Sequence, residues 1–338
     1  MSYETTNYLP RGISVRQAVE FALLLGYEKN GTYAHLGSPE TLSLICRDKK
    51  DYRSWVTVEL LIAVNEEKGC VYVSTRTRVG RSHYDFEMQN RTVREFKKRF
   101  GGGAFRDGGN GAGYDPGPPL PPAASGCYLA MQSLDWNLSR VNHYLHLSFK
   151  RPSLPEGMEK AEEIWPQIRQ LNPDVFVANV MITYLVSAME DYLKSTYIAL
   201  LTYSERKATV LKGIRLSGEQ LSQISEGKLG VEEAAAEVLS FQRLAAVGRN
   251  FHELDTSLDI LGPLKRSYRR RKINLLDRLE GLVTQRHNLI HGMEIDTWID
   301  HAVLQRHIDD FAAGMKLVYQ HVGKHYGWPL ELPISSNF

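Results

Sequence analysis

The sequence predicts an α+β N-terminal domain over residues 1–150, followed by an all-α helical bundle over residues 151–338. The length of 338 residues is more than one average domain requires. Apolar residues alternate in parts of the first half, whereas they recur every three to four residues in the second half. Pro152 and Pro155 interrupt regular structure between the halves, so we place the boundary at Arg151–Gly157.

The composition is that of an ordinary globular protein, with 43% hydrophobic and 24% charged residues. The formal net charge is only +2, so nucleic-acid binding would have to depend on local clusters of cations. The three cysteines, Cys46, Cys70 and Cys127, form no C-x-x-C pair. This sparse set argues against a disulfide framework or a zinc site and is typical of a reducing compartment.

No signal peptide or membrane span is expected from the sequence. The first residues lack a basic segment followed by an apolar run. The most apolar stretches, such as Phe21–Leu25 and Leu60–Val64, are too short to cross a bilayer. We therefore expect a soluble, cytoplasmic protein with no membrane partner.

The first half contains signals for one helix, one strand and a β-hairpin. Ser14 is placed to cap a short helix that ends near Gly26, and Thr41–Cys46 is a strand candidate. Two alternating runs flank the polar turn Asn65–Gly69: Val56, Val58, Leu60, Ile62 and Val64, then Val71, Val73, Thr75, Thr77 and Val79. The opposite hairpin face, with Tyr72, Arg76 and Arg78 and with Arg81 nearby, is either an RNA contact or, more commonly, a solvated sheet face.

A glycine- and proline-rich loop is predicted at 101–122, after a short helix at Arg91–Phe100. No Gly-Lys-Ser/Thr follows the glycines, which excludes a P-loop and favours a long mobile loop. Its PPLPP stretch has polyproline character, with partner binding as an alternative role. Gly126–Phe149 has a strand-like composition and is predicted to complete the N-terminal domain.

The second half is predicted to contain four amphipathic helices. One begins at Pro173 and carries a broad apolar stripe, and the second covers Val231–Val247. The third covers Ile273–Ile290, with Ile273, Leu276, Leu279, Val283 and Ile290 facing inward. The fourth contains Leu304, Ile308, Phe311, Met315 and Val318. Four such helices with polar connections predict a bundle.

The most informative motif is RHNLIHG, from Arg286 to Gly292, at the end of the third helix. Gly292 is placed to terminate the helix as its C′ residue, so His291 would lie at the cap. A histidine can transfer protons near neutral pH, and an arginine can neutralise charge that develops on a phosphate. The spacing alone is unspecific, because Arg78–His83 and Arg140–His146 share it. A cationic helix end that is merely favoured by the helix dipole is the structural alternative.

This context resembles the HEPN superfamily of RNases, which carry R-x(4–6)-H at the end of a bundle helix, with Asn, Asp or His after the arginine. Here His287 has that place, and Leu185–Leu193 is similar to the family's long earlier helix. The resemblance covers about residues 158–325. It implies an HEPN-like bundle in which Arg286 and His291 are catalytic with the help of His287, while Asn288 is a supporting residue. It also implies a homodimer and cleavage without metal or cofactor.

Two further groups of residues are candidates for the site. The segment Lys265–Lys272 is predicted to begin the third helix, about 24 Å from Arg270 to Arg286. It either binds RNA or forms a solvated helix face, and its RNA-binding candidates are Tyr268, Arg269, Arg270, Arg271 and Lys272. Glu190 and Asp191 could pair with Arg286 or orient His291, and Glu190 is taken as a supporting residue; the more common role of such an acid is a buried or dimer-interface one.

Together these features predict a metal-independent endoribonuclease that cleaves tRNA or mRNA by 2′-hydroxyl attack. Its use as a toxin or antiviral effector is implied by the resemblance to the family and not by any residue of the chain. The N-terminal domain would then recognise RNA or regulate the nuclease, and an antitoxin or trigger protein would be a partner. Tyr184, Tyr192 and Tyr197 are predicted to contribute to the dimer interface. The alternative is a non-catalytic dimerisation module that binds RNA or a nucleotide.

Overall fold

The computed structural model describes residues 2–33, 41–106, 113–146, 166–269 and 272–333. The chain divides into two compact units, Met1–Ser125 and Gly126–Phe338. An antiparallel sheet dominates the first unit and helices dominate the second, so the predicted succession of α+β and helical parts is confirmed at this level. The division falls earlier in the chain than Arg151–Gly157, where we expected it.

The first unit is a six-stranded antiparallel sheet with two helices packed on one face. The strand order is β2-β3-β4-β5-β1-β6. The strands are β1 Ser2–Tyr8, β2 Glu28–Tyr33, β3 Thr41–Cys46, β4 Val58–Asn65, β5 Cys70–Arg78 and β6 Gly103–Arg106. The helices are α1 Val15–Leu24 and α2 His83–Phe100. Their apolar residues Ala18, Ala22 and Phe96 share one core with Leu44, Val58, Leu60, Ile62, Val71 and Val73.

Side-chain caps explain where the two helices begin. Ser14 accepts a hydrogen bond from the N–H of Gln17 in a capping box, as expected for α1. Ser82 accepts from the N–H of Asp85 in a second capping box, at the start of α2. The Asp85 carboxylate is fully buried and accepts from the N–H groups of Trp55, Val56 and Ser82. Burial raises the pKa of Asp85, and these hydrogen bonds partly offset that effect.

The predicted strand Thr41–Cys46 and the predicted hairpin are confirmed, but β1 and β2 were missed. Our expectation of a mobile loop over 101–122 is wrong at two places, where the chain is held by the first unit. The stretch Gly103–Arg106 pairs with β1, and the amide of Asn90 forms two hydrogen bonds with the backbone of Tyr114. Residues 107–112 lie outside the described part of the chain.

The strand-like interpretation of Gly126–Phe149 is wrong, because helix α3 extends over Pro122–His146. The reason lies in the spacing of its buried residues. Six of them recur at alternating intervals of four and three residues: Cys127, Met131, Leu134, Leu138, Val141 and Leu145. That period places them on one side of a helix and not on one side of a strand. Residues 147–165 lie outside the described part of the chain.

The second unit is organised around a central helix, α4, which extends over Pro173–Thr202. The shorter helices α5 Lys207–Lys212, α6 Gly218–Ser225, α7 Val231–Val238 and α8 Leu244–Leu254 follow. Helices α9, Leu275–Gly292, and α10, His301–Tyr326, pack against α4 and against each other. The large buried side chains of this core are Tyr192, Tyr197, Phe251, Phe311 and Tyr319.

The predicted single helix Val231–Val247 is wrong, since α7 and α8 are separate helices. Leu239 is extended at the end of α7, and the side-chain amide of Asn250 donates to the carbonyl of Ser240 in the connection. A polar side chain that bonds to the connecting backbone stabilises the break, which helix periodicity alone does not reveal. Across the described ranges, no helix combines the length and the apolar character that a membrane span needs.

A polar cluster joins the ends of α8 and α10. Asp255 Oδ1 accepts from the hydroxyl of Ser257 at 2.6 Å, and Asp255 Oδ2 lies 2.9 Å from His325 Nε2. Burial would raise the pKa of Asp255, but hydrogen bonds from Ser257, His325 and Tyr326 outweigh it and hold that pKa well below its ordinary value. The cluster therefore favours the ionised carboxylate in the folded chain.

Candidate active site at the end of helix α9

The residues of the RHNLIHG motif lie in the last two turns of α9. The helix begins after Asn274, whose side chain accepts from the N–H of Asp277. It ends at Met293, which is left-handed with φ 53° and donates its N–H to the carbonyl of Asn288. Gly292 is still helical, so its predicted position as the C′ residue is wrong by one residue. His291 accordingly lies in the last helical turn.

The side of α9 that faces the core differs from the one we predicted. Leu275, Leu279 and Leu282 are the buried residues of the helix, while Ile273 and Ile290 are exposed. Leu275, Leu279 and Leu282 lie on one side of the helix, which is turned about the helix axis from the side that we predicted to face the core. His287, Asn288 and His291 then lie on the solvent side. These polar motif residues are therefore accessible to a ligand.

Arg286 differs from the other motif residues because it is half-buried against α4. Its nearest charge of opposite sign is Glu190. Burial raises the pKa of Glu190, and the positive charge of Arg286 lowers it again in part. Glu190 Oε1 and Arg286 Nε are both buried without a hydrogen-bond partner among the described residues. Asp191, the other predicted acid, is exposed.

The two histidines of the motif form a close pair. His287 and His291 are four residues apart on one helix, which places them on the same face. Their ring centroids lie 4.6 Å apart, and the ring planes are tilted by 47°. Both side chains are exposed. Two exposed imidazoles are therefore presented together at the helix end that also carries Arg286.

Asn179 on α4 holds the segment that follows the motif, and sequence reasoning missed it. Its amide donates to the carbonyl of Asp296 at 3.0 Å and accepts from the N–H of Asp296 at 2.9 Å. Asn179 is 4% exposed, so these hydrogen bonds form in a protected environment. An asparagine within the apolar stripe of α4 was the signal that could have indicated it. The two bonds fix the chain just beyond the end of α9.

The basic segment Lys265–Lys272 does not begin α9, which contradicts our prediction. Lys265 ends a separate 3-10 helix, Gly262–Lys265, and lies 3.3 Å from Asp259. Arg269 has a left-handed backbone with φ 49°, and its guanidinium lies over the Tyr268 ring at 5.1 Å. The run of like charges opposes a helix there, and Asn274 caps the helix that follows. The distance of about 24 Å, which assumed a continuous helix, therefore no longer applies.

Of the remaining cations that we predicted to bind RNA, the structure describes only Lys272. Arg270 and Arg271 lie outside the described residues. Lys272 is exposed, two residues before the cap of α9. A cleft of about 790 Å³ opens next to this segment, between α8 and the start of α9. It is lined by both cations and acids, among them Arg249, His252, Lys265, Glu253, Asp259 and Glu280.

The basic face of the hairpin in the first unit carries ion pairs. Arg76 Nε lies 3.1 Å from Glu4 on the neighbouring strand, and Arg78 contacts Glu59 at 3.7 Å. The guanidinium of Arg81 lies 4.3 Å from the centre of the Phe86 ring. Exposed pairs of this kind are typical of a solvated sheet face. The geometry favours that alternative over an RNA contact.

The predicted dimer contacts are partly wrong, because Tyr192 and Tyr197 are fully buried inside the second unit. Tyr184 remains partly exposed and donates to Asn137. Other exposed apolar residues lie near the end of α9: Phe176, Val180, Ile290, Met293 and Trp298. The segment with Met293, 82% exposed, and Trp298, 76% exposed, is the one that Asn179 ties to α4. We call these five residues the apolar rim.

The chain was compared with known protein families, curated proteins and solved structures. No protein-family model, no curated protein and no solved structure matches the chain. Functional assignment therefore depends on the geometry and chemistry of the residues themselves.

Proposed function

We propose that the chain is a metal-independent endoribonuclease of the HEPN type, with Arg286 and His291 as catalytic residues and His287 as their supporting neighbour. The observation that carries this proposal is the grouping of one guanidinium and two exposed imidazoles at one helix end. Such a grouping supplies a charge stabiliser and groups that can exchange protons near neutral pH. Glu190, behind Arg286, is the supporting acid.

The reaction would transfer a phosphoryl group within the RNA. The 2′-oxygen attacks the adjacent phosphorus, and the bond from phosphorus to the 5′-oxygen of the next nucleotide breaks. One imidazole takes the proton of the 2′-hydroxyl, and a protonated imidazole gives a proton to the departing 5′-oxygen. The guanidinium of Arg286 stabilises the negative charge on the other phosphate oxygens. The products are a 2′,3′-cyclic phosphate and a 5′-hydroxyl.

The RNA would run along the exposed face of α9. At 100° per residue, Leu276, Glu280, Thr284, His287 and His291 fall on one side of the helix. This side connects the cleft beside Lys265 with the histidine pair over about 22 Å. Tyr268, Arg269 and Lys272, with Arg270 and Arg271, would then contact RNA phosphates and bases away from the scissile bond.

A homodimer would complete the catalytic set. The catalytic pair Arg286 and His291 supplies only two of the three groups that cleavage needs, which are a base, an acid and a charge stabiliser, and a two-fold axis beside the helix end would double the pair. The apolar rim includes Ile290 and Met293 at this helix end and supplies the kind of surface that interfaces bury. We therefore propose a second copy of the chain as its occupant, with the two Arg286–His291 pairs facing a shared groove.

The biological role proposed for the nuclease is that of a toxin or antiviral effector that acts on tRNA or mRNA in the cytoplasm. The first unit would recognise the RNA or keep the nuclease inactive, and an antitoxin or a trigger protein would bind in that state. Measuring growth of cells in which the wild-type chain or the His291→Ala variant is induced tests this role. Growth arrest by the wild-type chain alone is expected.

The direct test is cleavage of total RNA by the purified chain and by His291→Ala. His291 is exposed, so the variant should fold normally and lose cleavage. Arg140→Ala is the matched control, since Arg140 is exposed and belongs to a second R-x(4–6)-H sequence outside α9. It should cleave like the wild type. Cleavage by a folded His291→Ala protein at the wild-type rate would refute the proposal.

The second candidate function is a non-catalytic helical module that binds RNA or a nucleotide and dimerises. The basic segment next to the cleft favours this candidate, because RNA binding by that segment would not require the histidine pair. It predicts RNA binding without cleavage. Binding that weakens in Arg269→Ala but is unchanged in His291→Ala, together with intact RNA after incubation, would favour it over the nuclease.

A further inference from the structure

The pair His287 and His291 has a geometry with a second chemical use. Two histidines at i and i+4 on one helix face are the arrangement by which helices hold a transition-metal ion. The ring centroids lie 4.6 Å apart with the ring planes tilted by 47°, which is close enough for one ion to bind a nitrogen of each ring. Both side chains are exposed, so an ion can reach them from solvent.

A second pair with the same spacing, His321 and His325, shows what such a site requires. Those rings are 6.4 Å apart, and His325 is already bound to Asp255 through Nε2. His321 Nε2 is buried without a hydrogen-bond partner in the described part of the chain. Neither ring can turn toward a shared ion without losing its present surroundings. Of these two pairs, only His287–His291 is ready to chelate.

We infer that His287 and His291 bind a transition-metal ion such as Zn²⁺ through one nitrogen of each ring, and that the bound ion inhibits the nuclease. Imidazole nitrogen is a preferred ligand of Zn²⁺. No group of three or more His, Cys, Asp or Glu residues that could hold a metal occurs among the described residues, so water would complete the coordination. Inhibition follows because the lone pair of His291 that binds the metal is the one that would exchange a proton with RNA.

The binding half of this inference depends only on the histidine geometry, whereas the inhibition half rests on the proposed function. Binding is measured with Zn²⁺ alone, by competition between the full chain and a chromogenic zinc indicator. We expect one ion per chain at micromolar zinc, with affinity at least about tenfold weaker in His287→Asn and in His291→Ala. The controls His143→Ala and His321→Ala should bind like the wild type, because neither residue belongs to the pair. Absence of binding by the wild type, or unchanged affinity in both pair variants, overturns the metal site.

Inhibition is measured as RNA cleavage at increasing Zn²⁺. His287→Asn is the decisive variant, because it removes one metal ligand but keeps a residue type that the HEPN motif accepts after the arginine. Its cleavage without zinc serves as its own reference, and the zinc concentration for half inhibition should rise at least about tenfold. Equal zinc sensitivity of the wild type and His287→Asn overturns the inhibition. If the wild type binds zinc through the pair but cleaves no RNA under any condition, the nuclease proposal fails while the metal site stands.

Discussion

Replacing Arg286 by alanine should affect stability as well as catalysis, because Arg286 is the counter-charge of Glu190. Breaking a fully buried pair costs about 3–5 kcal/mol, whereas an exposed pair contributes less than about 1 kcal/mol. Both side chains here are half-buried, so solvent screens part of the interaction. We expect Arg286→Ala to lower the free energy of unfolding by about 1–2 kcal/mol.

The loss should depend on pH with a defined sign. Burial raises the pKa of Glu190 in the folded chain above its ordinary 4.5, and removing Arg286 raises it further. A carboxyl group with a raised folded pKa binds its proton more tightly when folded, so it destabilises the fold at pH values above both its pKa values. The deficit of Arg286→Ala should therefore be full at pH 7 and should shrink as the pH falls through the raised pKa toward 4.5.

Urea unfolding followed by far-UV circular dichroism measures these effects, with Glu190→Gln and the double variant as matched partners. Glu190→Gln removes the buried charge. The double variant should therefore be about 1 kcal/mol more stable than the sum of the two single losses in unfolding free energy predicts. It should regain no RNA cleavage, since the guanidinium is still absent. Strict additivity of the two substitutions, with a pH-independent deficit, would refute the role of Glu190 as partner of Arg286.

Three other outcomes follow from the structure. Cleavage should persist in EDTA and leave a 2′,3′-cyclic phosphate, identified by mass spectrometry; loss in EDTA with recovery in Mg²⁺ would indicate another mechanism. Light scattering should show a dimer, and the Met293→Asp substitution should dissociate it. A mixture of Arg286→Ala and His291→Ala chains should regain part of the activity. A fully active monomer would contradict the shared groove. The pKa of Asp255 is lower in the folded chain than in the unfolded chain, so the ionised carboxylate stabilises the fold at neutral pH and this contribution is lost on acidification. In Asp255→Asn the unfolding free energy should therefore vary less with pH below about pH 4. An unchanged acid-unfolding curve would exclude this contribution.

Periodicity within single segments was enough to predict several elements. The alternation of Val58, Leu60 and Ile62 predicted β4, because successive strand residues face opposite sides. The stripe of α4 and the spacing in α10 predicted those helices for the corresponding reason. The four-and-three spacing in α3 was equally present in the sequence and was misinterpreted as strand composition.

Elements with polar inward faces could not be predicted in this way. Strand β1, Ser2–Tyr8, buries Thr5 and Asn7 on the helix-facing side of the sheet. The side-chain amide of Asn7 donates to the carbonyl of Val93, 86 positions away, and the backbone carbonyl of Thr5 accepts from the hydroxyl of Thr75, 70 positions away. Partners at such distances are not visible in the local pattern of the strand.

The sequence alone determined which side chains are candidates for the chemistry, because the positive charge of a guanidinium and the ability of an imidazole to exchange protons belong to the side chains themselves. It also determined the spacing of His287 and His291 on one helix face. Only the tertiary structure decided that Glu190 lies beside Arg286 and that Asn179 binds Asp296, a residue 117 positions later in the chain. It also decided that the basic segment precedes α9 and does not form its first turns. Contacts of this range arise from the packing of whole helices, whereas periodicity reports only the local preferences of neighbouring residues.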